Sequence, residues 1–156
     1  MKQCHGKGHI KTMILLVLII ALVGAGLYLI QQQYQKAKIK TIVTNMSLIE
    51  LKAKENVNKQ KTEGKEVSYV GTKLSEWTDN ELMEQLKQNT VISEEEQEKY
   101  YVLTEENLEE LNVSFGNEKD AYYLINYETS EVITSSGCKV EKDIILYKLS
   151  ELIEKE

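Results

Sequence analysis

The chain has 156 residues, 42% of them apolar and 28% charged, enough for one small domain with appendages. All 19 basic side chains are Lys, against 25 acids, and the charge is divided: +6 over residues 1–40 and −12 over residues 41–156. An acidic body without a guanidinium excludes a nucleic-acid partner, and confinement of both histidines (His5, His9) to the first nine residues removes most His-based catalysis and zinc chemistry from the rest.

Residues 1–12 form a short basic leader with Lys2, Lys7 and Lys11. Residues 13–30, MILLVLIIALVGAGLYLI, carry no charge. Eighteen residues at 1.5 Å each give about 27 Å of helix, the thickness of a bilayer core, so the segment is predicted to be a transmembrane helix. A cleaved signal peptide ending near Val23-Gly24-Ala25 is the competing reading, although the apolar run continues through Leu27, Leu29 and Ile30. Both flanks are basic, with Lys36, Lys38 and Lys40 on the far side. Short N-terminal flanks stay in the cytoplasm while long domains are translocated largely regardless of charge. The expected topology is therefore a single pass in the cell membrane, N-terminus cytoplasmic and acidic C-terminal domain extracytoplasmic.

No Pro or Gly interrupts the chain from Gln31 to Glu63, so the helix is expected to run on as a stalk over 31–62. Ile39, Ile42, Val43, Met46, Ile49, Ala53 and Val57 recur at three- and four-residue steps and define one apolar face. Leu48 and Leu51 fall on another side of the helical wheel. Two readings stand: these leucines are merely exposed or touch a loop, or they make a second stripe that meets a neighbouring subunit.

Residues 63–156 contain the apolar positions for one small α+β head. Gly64 and Gly71 bracket a loop or short strand at Glu66–Val70. Thr78-Asp79-Asn80-Glu81 has capping-box spacing before a short helix bearing Leu82, Met83 and Leu86. Ser93-Glu94-Glu95-Glu96 repeats that spacing, Tyr100–Leu103 reads as a brief strand, and Thr104 is placed to cap a helix carrying Leu108 and Leu111. Ala121–Tyr127 and Glu131–Thr134 around Glu128-Thr129-Ser130 form a hairpin signature. A second turn at Ser135-Ser136-Gly137, a strand at Cys138–Val140, a third turn at Glu141-Lys142 and a strand at Asp143–Lys148 complete an expected C-terminal antiparallel meander of three or four strands. Ser150–Lys155 reads as a frayed helical turn.

The chemistry-bearing groups are sparse. Runs such as Glu94-Glu95-Glu96 read as solvated helix faces, and the three Asp (Asp79, Asp120, Asp143) are too scattered for a calcium loop. Cys4, His5 and His9 are the one cluster of transition-metal ligand types, without a fixed fourth ligand. Cys138, among strand residues, reads as a small core side chain. No Gly-rich phosphate loop or Cys-x-x-Cys is present. The sequence therefore predicts no catalytic, cofactor-binding or metal site and no enzyme.

A short basic leader containing Gly, a near-N-terminal apolar helix that becomes amphipathic, and a small head closing on AYYLINYETSEVI together resemble the type IV pilins and the pseudopilins of type II secretion. The resemblance implies leader cleavage after a Gly, for which Gly8 is the candidate; the fifth position beyond it is Met13, where the family carries Glu. It also implies a structural, non-enzymatic role in surface assembly or secretion, with membrane lipid and other pilin-like subunits as partners, homo- or hetero-oligomeric, and Leu48 and Leu51 as candidate subunit contacts. The alternative is a membrane-anchored extracytoplasmic sensor or ligand-binding domain on a helical stalk.

Overall fold

The computed structural model describes residues 6–89, 91–115, 121–141 and 144–155. The protein is α+β: one long N-terminal helix, then a small head of short helices and a five-stranded antiparallel sheet. It divides into two compact units, Met1–Ala37 and Lys38–Glu156. The helix α1 (Gly6–Thr62) supplies the described residues of the first unit and the opening element of the second. It closes in a Schellman arrangement, with the Lys65 amide donating to the Gln60 carbonyl (3.0 Å) and the Gly64 amide to that of Lys61 (3.1 Å). The Gln60 side chain then holds the departing chain at two points, donating to the Ser68 carbonyl (3.0 Å) and accepting from the Ser68 amide (2.7 Å).

The sheet has strand order β1-β2-β3-β4-β5, with β1 at Thr72–Lys73, β2 at Tyr100–Leu103, β3 at Tyr123–Asn126, β4 at Val132–Glu141 and β5 at Ile144–Lys148. The central strands alternate between two cores. Leu103, Tyr123, Ile125 and Val132 face a core shared with α1, with α3 (Glu105–Glu110) and with α4 (Leu149–Ile153). Tyr100, Val102, Leu124 and Ile133 face the other, beneath α2 (Asn80–Gln88) and the 3-10 turn Leu74–Glu76. Alternation at period two thus buries both faces, and β3 has no exposed residue.

Ile42, Val43, Met46, Ile49 and Ala53 of α1 are buried in the first core, as their helical spacing predicts, and Met46 and Ile49 are inaccessible to solvent. Each large side chain of this stripe is worth about 1.5–3 kcal/mol when removed from water. The short helices start where the caps place them. Thr104 and Asn107 form a capping box, and Ser93 and Glu96 form another ahead of the 3-10 turn Glu94–Lys99. For α2 the cap is Asp79 rather than Thr78: its carboxylate accepts from the amides of Glu81 (3.0 Å) and Leu82 (3.4 Å). The end of α3 is a second Schellman motif, with Asn112 at φ +58° and buried Val113 next to Leu108 in one core.

Of the two readings of Glu66–Val70, a loop or a short strand, the loop holds, and the edge strand begins only at Thr72. Two expectations are corrected. Ser135-Ser136-Gly137 is not a turn: β4 runs through it as ten residues. The extra residues are taken up as a bulge, since pairing jumps from Ile133↔Lys148 to Cys138↔Leu146. Gly137 (φ +65°) lies so close to β5 that a Cβ there would stand 2.5 Å from Ile145 Cγ2, so the turn-like composition reflects a bend inside a strand. Ser150–Lys155 is not frayed, because α4 buries Leu149 and Leu152. The C-terminal meander holds as the three strands β3, β4 and β5, and β1 and β2 pair onto its leading edge to complete the five-stranded sheet. The predicted third turn falls partly on Lys142, outside the described residues.

The two sides of α1 give an internal test. Ile49→Ala is expected to lower the stability of the head by about 2–5 kcal/mol, and Leu51→Ala, at a position 59% exposed, to change it by no more than about 0.5 kcal/mol. Urea unfolding of the full chain in detergent, followed through Trp77 fluorescence, reads both; equal effects would contradict the burial of this stripe.

Candidate functional site

The most prominent surface of the first unit is Met13–Ile30. Its large apolar side chains from Met13 to Val23 and from Tyr28 to Ile30 are 52–73% exposed, on every side of the helix. The helix from Met13 to Thr62 holds an 18-residue window of mean hydropathy 2.9, none of it buried, so one described helix is long and apolar enough to cross a membrane. A Cβ added to Gly24 or Gly26 would meet nothing within 4 Å. Gly8 lies within α1. Cys4 and His5 are outside the described residues. Among the described residues no group of three or more His, Cys, Asp or Glu side chains is placed to hold a metal.

Leu48 and Leu51, paired by their wheel positions, are separated by the fold. Leu48 is half-buried and packs against the first core; Leu51 is exposed. The core that receives α1 is built from the sheet, α3 and α4 together, so it covers a wider arc than the stripe alone and takes in Leu48. Leu51 remains the apolar side chain on the uncovered side. Cys138 is buried at 2% exposure in the same core.

Three tyrosines converge at one end of the sheet, a feature the sequence did not announce. Tyr101 on β2 pairs in register with Ile125, which puts Tyr127, two residues on, diagonal to it on the same face. Their rings meet edge to face at 5.3 Å, and Tyr69 completes the set, stacked on Tyr127 at 4.5 Å and edge-on to Tyr101 at 5.4 Å. Tyr127 Oη donates to the Val70 carbonyl at 2.9 Å and ties the unpaired 65–70 segment to the sheet. Knowledge of the strand register would have revealed the cluster; linear spacing does not.

Beside it an open recess of about 440 Å³ lies between α1 and the β3–β4 loop, lined by Ala53, Val57, Lys54, Lys61, Ile125 and Tyr127, among others. The loop is held by Asn126, a buried amide whose oxygen accepts from the backbone of Glu128 (2.9 Å) and Thr129 (3.3 Å). A second open recess, about 550 Å³, is lined by Asp79, Glu81, Leu82, Gln85 and Tyr122. The nearby indole of Trp77 meets Tyr122 edge to face at 5.4 Å, and its Nε1 is buried with no hydrogen-bond partner among the described residues.

Perturbed titrations mark structural contacts here. Hydrogen bonds from the backbone and hydroxyl of Ser93 hold the Glu96 carboxyl below its usual range. Burial, aided by the negative charges of Glu131 and Glu96, pushes the Tyr100 phenol up to about 12, and burial also raises that of Tyr127. Neither arrangement pairs a nucleophile with a base.

Compared with family models, curated proteins and solved structures, the chain matches none.

The phenols predict an alkaline limit to stability. Their folded pKa values lie above the ordinary value of 10.0, so the folded state holds these protons more tightly. The resulting stabilisation is complete below pH 10 and is lost as the pH rises through about 12. A spectrophotometric titration should show Tyr100 and Tyr127 among the tyrosines that ionise late, together with unfolding; ionisation of every tyrosine near pH 10 in a still-folded head would refute the burial.

Proposed function

We propose that the chain is a non-enzymatic, single-pass membrane protein, similar in plan to a pilin or pseudopilin, that acts in surface assembly or secretion by helix packing. The observation that carries this reading is the change of character along α1. From Met13 to Ile30 the helix is apolar on all sides and none of its apolar window is buried, whereas from Ile42 to Ala53 the main apolar stripe lies on one side and the head covers it, with Leu51 left exposed. A helix apolar all round needs a nonpolar environment on every side, whereas one with a single stripe needs a partner on one side only. The twelve Leu, Ile and Val side chains of residues 13–30, at about 0.3–0.6 kcal/mol each, favour bilayer insertion by about 4–7 kcal/mol.

On this reading the short basic leader stays in the cytoplasm and the acidic head lies outside, anchored through the span. Spans of neighbouring copies or of other pilin-like subunits associate in the bilayer, and the exposed Leu51 side of α1 offers a contact for a neighbour. Leu48 is tied to the core of its own head and serves less well as an independent contact. The α+β plan and the apolar-to-amphipathic helix support the pilin-like reading.

Two measurements test it. In membranes from cells making the full chain, crosslinking should yield oligomers that Leu51→Ser abolishes while the unfolding midpoint stays within about 0.5 kcal/mol of the parent; unchanged oligomers would overturn the contact. The intact mass of the membrane-extracted protein should correspond to the whole chain or to a chain cut after Gly8. A mass corresponding to a cut after Ala25 would remove most of the apolar segment and overturn the anchor.

A further inference from the structure

We infer that Lys36, Lys38 and Lys40 form a collar that binds anionic lipid headgroups, so that the anchor selects its lipid neighbours by charge. This rests on the membrane-anchored reading above. The observation is a difference in how lysines are used along one chain. After residue 50, seven of the eleven described lysines are engaged with glutamates, as in Lys54–Glu50 at 2.6 Å and Lys52–Glu55 at 2.8 Å, and the others (Lys59, Lys61, Lys139, Lys148) sit in a segment rich in acids. Lys36, Lys38 and Lys40 are exposed and have no ion pair among the described residues. The sequence leaves them none nearby, because the first acid is Glu50.

Their position fits the phosphate layer. They follow Ile30 by six, eight and ten residues in α1, about 9–15 Å at the standard rise. A bilayer of about 40–45 Å with a hydrocarbon core of about 30 Å leaves about 5–8 Å of headgroup on each side. Side chains on a helix tilt toward its N-terminus, which here is the apolar side, so each ammonium reaches back toward that layer along its aliphatic stem. Lys36 and Lys40 share one face and Lys38 lies on another, so a tilt in either direction keeps a cation at the surface. Exposed Tyr34 stands where interfacial aromatics collect. Lysine is a compact point charge with three donors and suits the phosphodiester anion without needing a fixed fork.

The test uses the full chain reconstituted in phosphatidylcholine vesicles containing either spin-labelled phosphatidylglycerol or spin-labelled phosphatidylcholine. The fraction of motionally restricted label reports which lipid contacts the protein. The parent chain should prefer phosphatidylglycerol several-fold, each of the three lysines contributing at most about fivefold. The preference should shrink between about 0.1 M and about 1 M salt, as the screening length falls from about 10 Å to about 3 Å. K36Q/K38Q/K40Q should lose most of the preference, whereas K52Q/K54Q, which removes paired lysines, should keep it. A triple variant that stays resistant to carbonate extraction yet retains the full preference would overturn the collar. A parent chain that carbonate extracts would instead overturn the membrane reading on which the collar depends.

Discussion

The head depends on one packing constraint: a sheet whose central strands are apolar on both faces must be covered on both. Adjacent residues such as Val102 and Leu103, or Leu124 and Ile125, point to opposite sides and are all essentially inaccessible. No single layer can satisfy them. The stripe Ile42–Ala53 of α1 covers one face together with α3 and α4, and α2 with the Leu74–Glu76 turn covers the other. Where the cover runs out, at β5, Ile144 and Ile145 are both exposed although they too point to opposite faces. The three-layer arrangement is therefore a requirement of the strands, and the helix is as much a part of the core as the sheet is.

Charge contributes little to that arrangement. The ion pairs of the head are exposed, several of them at 3.6–3.7 Å, and such pairs are worth about 0–1 kcal/mol each. Their effect is on the surface: they offset part of the head's negative charge locally and leave the fold to apolar burial. The polar contacts that matter structurally are those that complete backbone groups, such as Asn126 in the β3–β4 loop, Gln60 on Ser68 and Tyr127 on Val70. Each joins a segment without regular structure to an element that has it, and at the part-buried contacts of Asn126 and Tyr127 an unsatisfied backbone group would cost up to about 1–3 kcal/mol.

The sequence made visible whatever is encoded over a few neighbouring residues. The α1 stripe, the caps at Ser93 and Thr104, strand β2 and the hairpin around Glu128–Ser130 all rest on such local periodicity or hydrogen bonding. It misled where a local signal was reused by a distant contact. Ser135-Ser136-Gly137 has turn composition because Gly137 must let β5 approach, a constraint set by Ile145 and Tyr147. The last helix looked frayed because five residues cannot hold a helix by propensity, yet Leu149 and Leu152 are fixed by the core. The helical wheel gives the direction of Leu48 but not the width of the surface that receives it. The tyrosine cluster depended on the register between β2 and β3, and no linear pattern specifies register across a connection of that length.

The two apolar parts of α1 differ in what covers them. Periodicity tells a helix how many sides must leave water, and burial in the structure tells which of those sides the protein itself provides for. Over 42–53 the two agree for the main stripe, which is specified as apolar and is covered, and differ only at Leu51. Over 13–30 they disagree, since every side is apolar and the protein covers none of the window. Such a mismatch is the expected mark of a surface built for surroundings other than water. Between the two lies a stretch that is neither, with glutamines, an exposed tyrosine and three lysines without a single acid. On the membrane-anchored reading proposed above, that stretch meets the phosphate layer, where charge of one sign has a partner.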